Sequence, residues 1–249
     1  MAKVEVFPLK GIPEVKKGSD VSKLVVAALG RSGIQLKNGD IVVIKQKIVS
    51  KAEGQVVSLD DVVPGRRAKS LANAEGKDPR LMELVLRESV RVVRRGHGVV
   101  ITETKHGFVC ANSGVDQSNV GKGYASLLPV NSDRSAKKIR QSLEALTKTH
   151  LAVVITDTFG RPWRRGQTDV AIGCSGIDPL LSFRGRVDRF GYALRVTEPA
   201  IVDEVAGAAE LATGKLSRVP AALIRGVIYA KGRGGIKSLI MKRERDLFR

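Results

Sequence analysis

Short apolar runs separated by polar, glycine-containing stretches set the rhythm of this chain. Residues 3–7, KVEVF, alternate in the manner of a half-exposed strand. Asp20 precedes Leu24, Val25, Ala28 and Leu29 at helical spacing, which predicts an N-capped helix stopping near Gly30 or Gly33. Residues 40–49, DIVVIKQKIV, predict a strand closed by Ser50 to Gly54. Residues 58–77 are polar, with a turn at Pro64-Gly65. Asp78-Pro79 opens a second helix, with Leu81, Val85, Leu86, Val90 and Val93 as its apolar stripe and Gly96 as its end. Residues 98–104 and 107–110 predict paired strands, followed by a glycine-rich loop, NSGVDQSNVGKG, over 112–123.

The second half continues in the same style. Residues 132–148 predict a basic helix with Ile139, Leu143 and Leu146 inward. Leu151 to Ile155 is an uninterrupted apolar run of strand length, leading into a polar loop that starts at Thr156-Asp157-Thr158. Residues 168–173 and 190–197 predict strands, Glu198-Pro199 opens an alanine-rich helix reaching Gly214, and 221–230 predicts a last strand. The tail, 237–249, is basic and amphipathic. Strands and helices mix without the strict alternation of a doubly wound sheet. The expected class is α+β, with mixed sheets and flanking helices. No repeat or long linker divides the chain, so 1–249 is read as one unit, with a smaller subdomain around 176–215.

Composition narrows the function. With 249 residues, 43% of them hydrophobic, the chain has enough apolar material for a proper core. No apolar run approaches the roughly 20 residues of a membrane helix, and the N-terminus lacks a signal-peptide pattern. Two cysteines, Cys110 and Cys174, make no disulfide framework, so a cytoplasmic location is expected. The formal net charge of +18 asks for an anionic partner: nucleic acid, or an anionic small substrate, unless it is a solubility trait. The basic residues are spread along the whole chain, and aromatics at 4% are few for a single-strand stacking platform.

The candidate chemistry lies in two loops. Asp157, flanked by two threonine hydroxyls at a strand end, suits a hard cation such as Mg²⁺ or Mn²⁺. Arg161, Arg164 and Arg165 follow closely and suit a phosphate. The plainer alternative is a turn cap followed by solvated arginines. Asp116, in the glycine-rich loop after the preceding strand pair, is the natural second carboxylate; its alternative is an Asx-turn. Lys51, in the Ser50 to Gly54 stretch that closes a strand, is either a phosphate contact or an ordinary surface lysine. His97, His106 and His150 read as structural, and Trp163 either stacks on a planar ligand or anchors its loop. GxxxxGK[ST] and GxGxxG are absent, as are a zinc cysteine pattern and a nucleophile elbow.

HGFVCANSGVDQSN (106–119) and ITDTFGRPWRRGQTDVAIG (155–173) together resemble the γ-glutamyl ligase family of coenzyme F-420 biosynthesis. GIPEV near the start, KIVSKAEG (47–54) and the spaced residues from Arg184 to Gly226 extend the resemblance over almost the full length. The resemblance implies two closely associated subdomains, an intertwined homodimer, and GTP-dependent addition of L-glutamate to a deazaflavin precursor. It implies two divalent ions, Mg²⁺ or Mn²⁺, with K⁺ as a helper. Asp116, Asp157 and Thr158 then resemble the metal ligands, and Gly11, Ile12, Pro13, Glu14, Lys51 and Asn119 the nucleotide contacts. Thr213 to Arg218, including Gly214 and Lys215, resembles the last part of the nucleotide site. The chain departs from the family there: where the family carries a longer acidic or amide-bearing turn, it reads Gly214-Lys215-Leu216-Ser217-Arg218, and an ammonium at Lys215 cannot ligate a metal. Two other readings stay open: a basic nucleic-acid-binding protein, and the same ligase chemistry on a different acid.

Overall fold

The computed structural model describes residues 3–232 and 235–247. In chain order its helices and strands are β1 (Glu5–Pro8), α1 (Val21–Arg31), β2 (Ile41–Lys45), α2 (Gln46–Ala52), β3 (Val56–Ser58), α3 (Arg66–Glu75), α4 (Pro79–Arg87), β4 (Ser89–Gly96), β5 (Val99–Thr104), β6 (Val109–Ala111), β7 (Tyr124–Ser126), α5 (Ser132–Thr147), β8 (Ala152–Arg161), β9 (Arg164–Ser175), α6 (Ile201–Thr213) and β10 (Ala221–Arg225). The main sheet has the order β1-β10-β2-β8-β9. Its β2–β8 pair is parallel and its other pairs are antiparallel. Ile41 to Ile44 and Ala152 to Ile155 are buried at every position, so both faces of the sheet's centre are covered. The helices α5 and α6 pack on β8 and β9, and α6 also reaches β1, β2 and β10. The fold is α+β with mixed sheets and flanking helices.

A second core stands apart from this sheet. Leu59, Ala72, Met82, Val85, Val100 and Ala125 belong to it. It is built by α3, α4, the β4-β5-β6 sheet and the β3-β7 pair, all inserted between α2 and α5. Residues 176–200 form no helix or strand; an isolated bridge joins Val187 to Ala193.

Several elements differ from the sequence reading, each for a local reason. The strand expected over 40–49 stops at Lys45, where its pairing with β8 ends, and α2 continues from Gln46. The helix expected to Gly96 stops at Arg87; Val90, Val92 and Val93, stiff at χ1, go into β4 instead. The polar 58–77 stretch holds α3, whose inward face is only Ala68 and Ala72, too small to register as a stripe. Leu146 is exposed rather than inward. The loop expected after Ile155 is a long β8–β9 hairpin with Trp163 exposed at its tip. No strand forms over 190–197, and the last strand ends at Arg225. The tail forms short 3₁₀ turns at Ile236–Leu239 and Arg243–Arg245, and its residues 248–249 lie outside the described residues.

The helix α6 carries a stability prediction. Gly207 sits in mid-helix, and a Cβ there would meet only Thr168 Oγ1, at 3.8 Å. Gly207→Ala is expected to stabilise the protein by about 0.5–1 kcal/mol, because alanine loses less backbone freedom on folding. A thermal melt that fell instead would show that α6 is held closer to β9 than this spacing allows.

Candidate active site

Parallel neighbours in a sheet bring their carboxyl ends to the same edge, where the following residues diverge and leave a crevice. Here the pairing of β2 with β8 ends at Lys45 opposite Thr156, and β8 runs on beside β9 alone. Lys47 and Asp157 emerge at that edge. A cavity of about 430 Å³ opens there, lined by Lys47, Asp116, Asp157, Thr158, Asp169 and Lys215, among others. A larger cavity of about 810 Å³ adjoins it and shares Lys45, Lys47, Asn119 and Lys215. Ile12, Pro13, Glu14, Lys51, Gly214 and Arg218 line the larger one.

Asp116 is delivered by a tightly fixed loop. Asn112, Ser113 and Gly114 are consecutive left-handed residues, with φ of 51°, 55° and 70°. Ser113 holds the turn: its N–H donates to Thr102 Oγ1 at 2.9 Å and its hydroxyl donates to the Val85 carbonyl at 2.9 Å. Gly114 is required, since a Cβ would come within 2.8 Å of Leu128. Asp116 then pairs by backbone with Ser126. Its side chain accepts from the Ser118 N–H at 2.9 Å, so the Asx-turn is real. The same carboxylate also takes a close ion pair from the Lys47 ammonium. Burial pushes its pKa up, but the hydrogen bonds from Lys47 and Ser118 outweigh that, and the net shift is downward.

Asp157 has the opposite electrostatics. It sits in β8 opposite Val170, half-buried and lining the smaller cavity. Burial pushes its carboxyl up to about 7, and repulsion from Asp116 and Asp169 adds to this. The Thr158 N–H and the Lys47 charge oppose the rise without cancelling it. Asp157, short of compensating partners, and Asp116, paired with Lys47, line the same cavity and together offer a donor set for a cation.

Across the cavity the carboxylates are already satisfied. Thr158 lies opposite Asp169 in the hairpin, and its hydroxyl donates to Asp169 Oδ1 at 2.6 Å. Lys215 Nζ donates to Thr158 Oγ1 at 2.6 Å and to Asp169 Oδ1 at 2.9 Å, and it ion-pairs with Glu210. Lys45 Nζ donates to the Gly214 carbonyl at 2.7 Å. Burial pulls the Lys45 pKa down.

The structure therefore brings Asp116, Asp157, Thr158, Asn119 and Lys215 to one cavity, and Ile12, Pro13, Glu14, Lys51 and Gly214 to its neighbour. Gly11 stands outside the larger cavity's lining; its carbonyl accepts from Arg31 Nη2 at 2.8 Å. Arg164 and Arg165 begin β9 at the exposed hairpin tip and line neither cavity. Lys45, Lys47, Asp169 and Asn112 were missed. Asn112 lines the smaller cavity with its buried Oδ1 unpartnered. Lysines at and just beyond the end of a buried strand, and an aspartate inside the longer of the two motifs, were the available signals.

The arrangement suits anion and cation together. Lys45, Lys47, Lys51, Lys215 and Arg218 give the paired cavities a strong positive lining. Among the described residues no three His, Cys, Asp or Glu side chains form a ready-made metal cage. Asp116 and Asp157 still fit one Mg²⁺ or Mn²⁺, because such an ion commonly takes one or two carboxylates and completes its shell with substrate phosphates and water. Cys110 and Cys174 are buried, and burial pushes both thiols up to about 12, so neither is a nucleophile.

The charged crevice at the strand ends, in a chain without a P-loop, has the layout of a site for small anionic reactants. The chain is a member of the F420-0:Gamma-glutamyl ligase family, which it matches over residues 11–226. It is 44% identical over 249 residues to the coenzyme F420:L-glutamate ligase of Methanothermobacter thermautotrophicus, covering 99% of each chain. It is 42% identical over 248 residues to the enzyme of the same name from Methanocaldococcus jannaschii, covering 99% of this chain and 97% of that one. The Methanopyrus kandleri enzyme of that name is 40% identical over 252 residues, with the same coverage. Among the described residues no helix is long and apolar enough to cross a membrane.

Proposed function

We propose that this protein is a GTP-dependent ligase that joins L-glutamate to the deazaflavin precursor of coenzyme F-420. The observation that carries the mechanism is the pairing of a cation-seeking carboxylate couple, Asp116 and Asp157, with an ammonium-lined cavity sized for a nucleotide. Family membership supports the ligase reaction itself.

Amide formation from a carboxylate needs a leaving group on the acyl carbon. In this reading a precursor carboxylate oxygen attacks the γ-phosphorus of GTP, the bond to the β-phosphate oxygen breaks, and GDP departs. The glutamate amine then attacks the acyl carbon, loses a proton and expels phosphate. The protein's part is positioning and charge neutralisation. Lys45, Lys47 and Arg218, which line the larger cavity, would neutralise the phosphates, and Lys51, held by Glu14, adds a fourth cation. A divalent ion held by Asp116 and Asp157 would supply further charge neutralisation at the phosphate oxygens.

A homodimer belongs to the same reading. Its support is the exposed apolar group Val187, Phe190, Tyr192 and Val196 in the irregular 176–200 segment. The decisive experiment mixes purified protein, GTP, Mn²⁺, K⁺, glutamate and precursor, and reads products by mass spectrometry. Added glutamyl mass with matched GDP and phosphate release is expected. Product formed equally well without any nucleotide would rule the mechanism out.

A further inference from the structure

The two sides of the smaller cavity differ in charge balance. On one side Asp116 and Asp157 share a single close ammonium, that of Lys47. On the other side Asp169 and Glu210 face two, from Lys215 and Lys45. Asp169 is 3% exposed at its side chain, which makes its charge costly without a partner. Its Oδ1 accepts from Thr158 and from Lys215. Glu210 Oε2 accepts from the Asp169 N–H at 2.9 Å, so the two acids are also tied to each other.

An ammonium has three N–H donors. Lys215 aims them at three oxygens, on Thr158, Asp169 and Glu210. A divalent ion on this side of the cavity would have to draw on the same three oxygens, and the ammonium already lies among them. The lysine is fixed from behind as well: its turn follows directly on α6, and Gly214 caps that helix through an N–H bond to the Glu210 carbonyl. Displacing the ammonium would leave two acids sharing one weak neighbour, Lys45, which itself is partly desolvated.

We propose that the Lys215 ammonium is a built-in cation occupying the Thr158, Asp169 and Glu210 oxygens. The chain then loads one divalent ion, at Asp116 and Asp157, instead of two. The lysine acts as a positioning residue: it orients Thr158 and holds fixed positive charge at the junction of the two cavities. This inference rests on the metal-dependent reading above and adds a stoichiometry to it.

The test counts Mn²⁺ per chain by equilibrium dialysis with GDP present, checked by electron paramagnetic resonance. Wild type and Lys215→Arg are expected to hold one ion. Lys215→Met, which frees the three oxygens without adding a ligand, is expected to hold two, and Lys215→Met with Glu210→Gln to return to one. Thermal melts confirm that each variant is folded, and Lys215→Leu replaces Lys215→Met if that one is not. Two ions in wild type, or one in the folded neutral variant, overturns the built-in cation while leaving the ligase reading intact. No ion in any form overturns both.

Discussion

Asp157→Asn is expected to lose turnover by ~100-fold or more and, at pH 8 in the presence of a chelator, to melt at a higher temperature than wild type. The two effects share one cause. Asp157 is held where its charge is poorly solvated, with burial as the main cause and Asp116 and Asp169 as repelling neighbours. Its carboxyl is pushed from the usual 3.8 up to about 7. The unfolded chain therefore releases this proton near pH 4, and the folded chain holds it until about pH 7. Between those values the folded state binds more protons, so stability falls as pH rises through the window and levels off above it. Asparagine has no charge to bury, so the variant lacks that loss, which amounts to a few kcal/mol as an order of magnitude. At pH 4 the advantage should disappear. The same substitution removes a carboxylate from the cation site, which is why activity goes. Identical melting curves for the two proteins at pH 4 and pH 8 would show that Asp157 is not the strained charge described above. Retained turnover with bound metal would remove it from the mechanism.

The carboxylates were legible in the sequence because each follows a recognisable apolar stretch in a long specific motif. Their convergence was not, since it depends on β2 and β8 being parallel neighbours and on an inserted second core carrying Asp116 back to that edge. Lys47 and Lys45 were hidden by abundance: in a chain with 43 basic residues, no single lysine stands out. They were hidden also by the misread boundary at Lys45, since a strand running to Val49 would have projected Lys47 beside the sheet and not past its end. Asp169 became important only through the hairpin register that sets it opposite Thr158. The second core escaped notice because its elements are short and thinly apolar. The helix α3 buries only two alanines. The sheet β4-β5-β6 is half exposed along much of its length.

Gly173→Ala should destabilise the fold by about 3 kcal/mol, toward the upper end of what overpacking usually costs. Gly173 lies in β9 directly beneath the first residue of α5. A Cβ at this position would sit 2.5 Å from both the carbonyl carbon and the Cβ of Ser132, and 2.6 Å from its carbonyl oxygen. Backbone atoms cannot rotate aside as a long side chain would, so the helix or the strand must move. The helix end is not free to move. Asn131 Oδ1 accepts from the Arg134 N–H at 2.9 Å as its N-cap. Asp133 Oδ1 accepts from the Cys174 N–H at 2.9 Å, tying the first turn to the next strand residue. Asp133 also accepts from the Ile236 N–H, which brings the C-terminal segment onto the same carboxylate. Moving α5 by the ångström that a methyl group demands would break these bonds together. For a chain of this size a loss of 3 kcal/mol corresponds to a drop of roughly 6–12 °C in melting temperature, the opposite direction from Gly207→Ala. Because β9 pairs with the stretch of β8 that carries Asp157, the variant should bind Mn²⁺ more weakly even at temperatures where it stays folded. An unchanged melting point would mean that α5 and β9 separate easily, and that the sheet does not set the position of the site as rigidly as its packing requires.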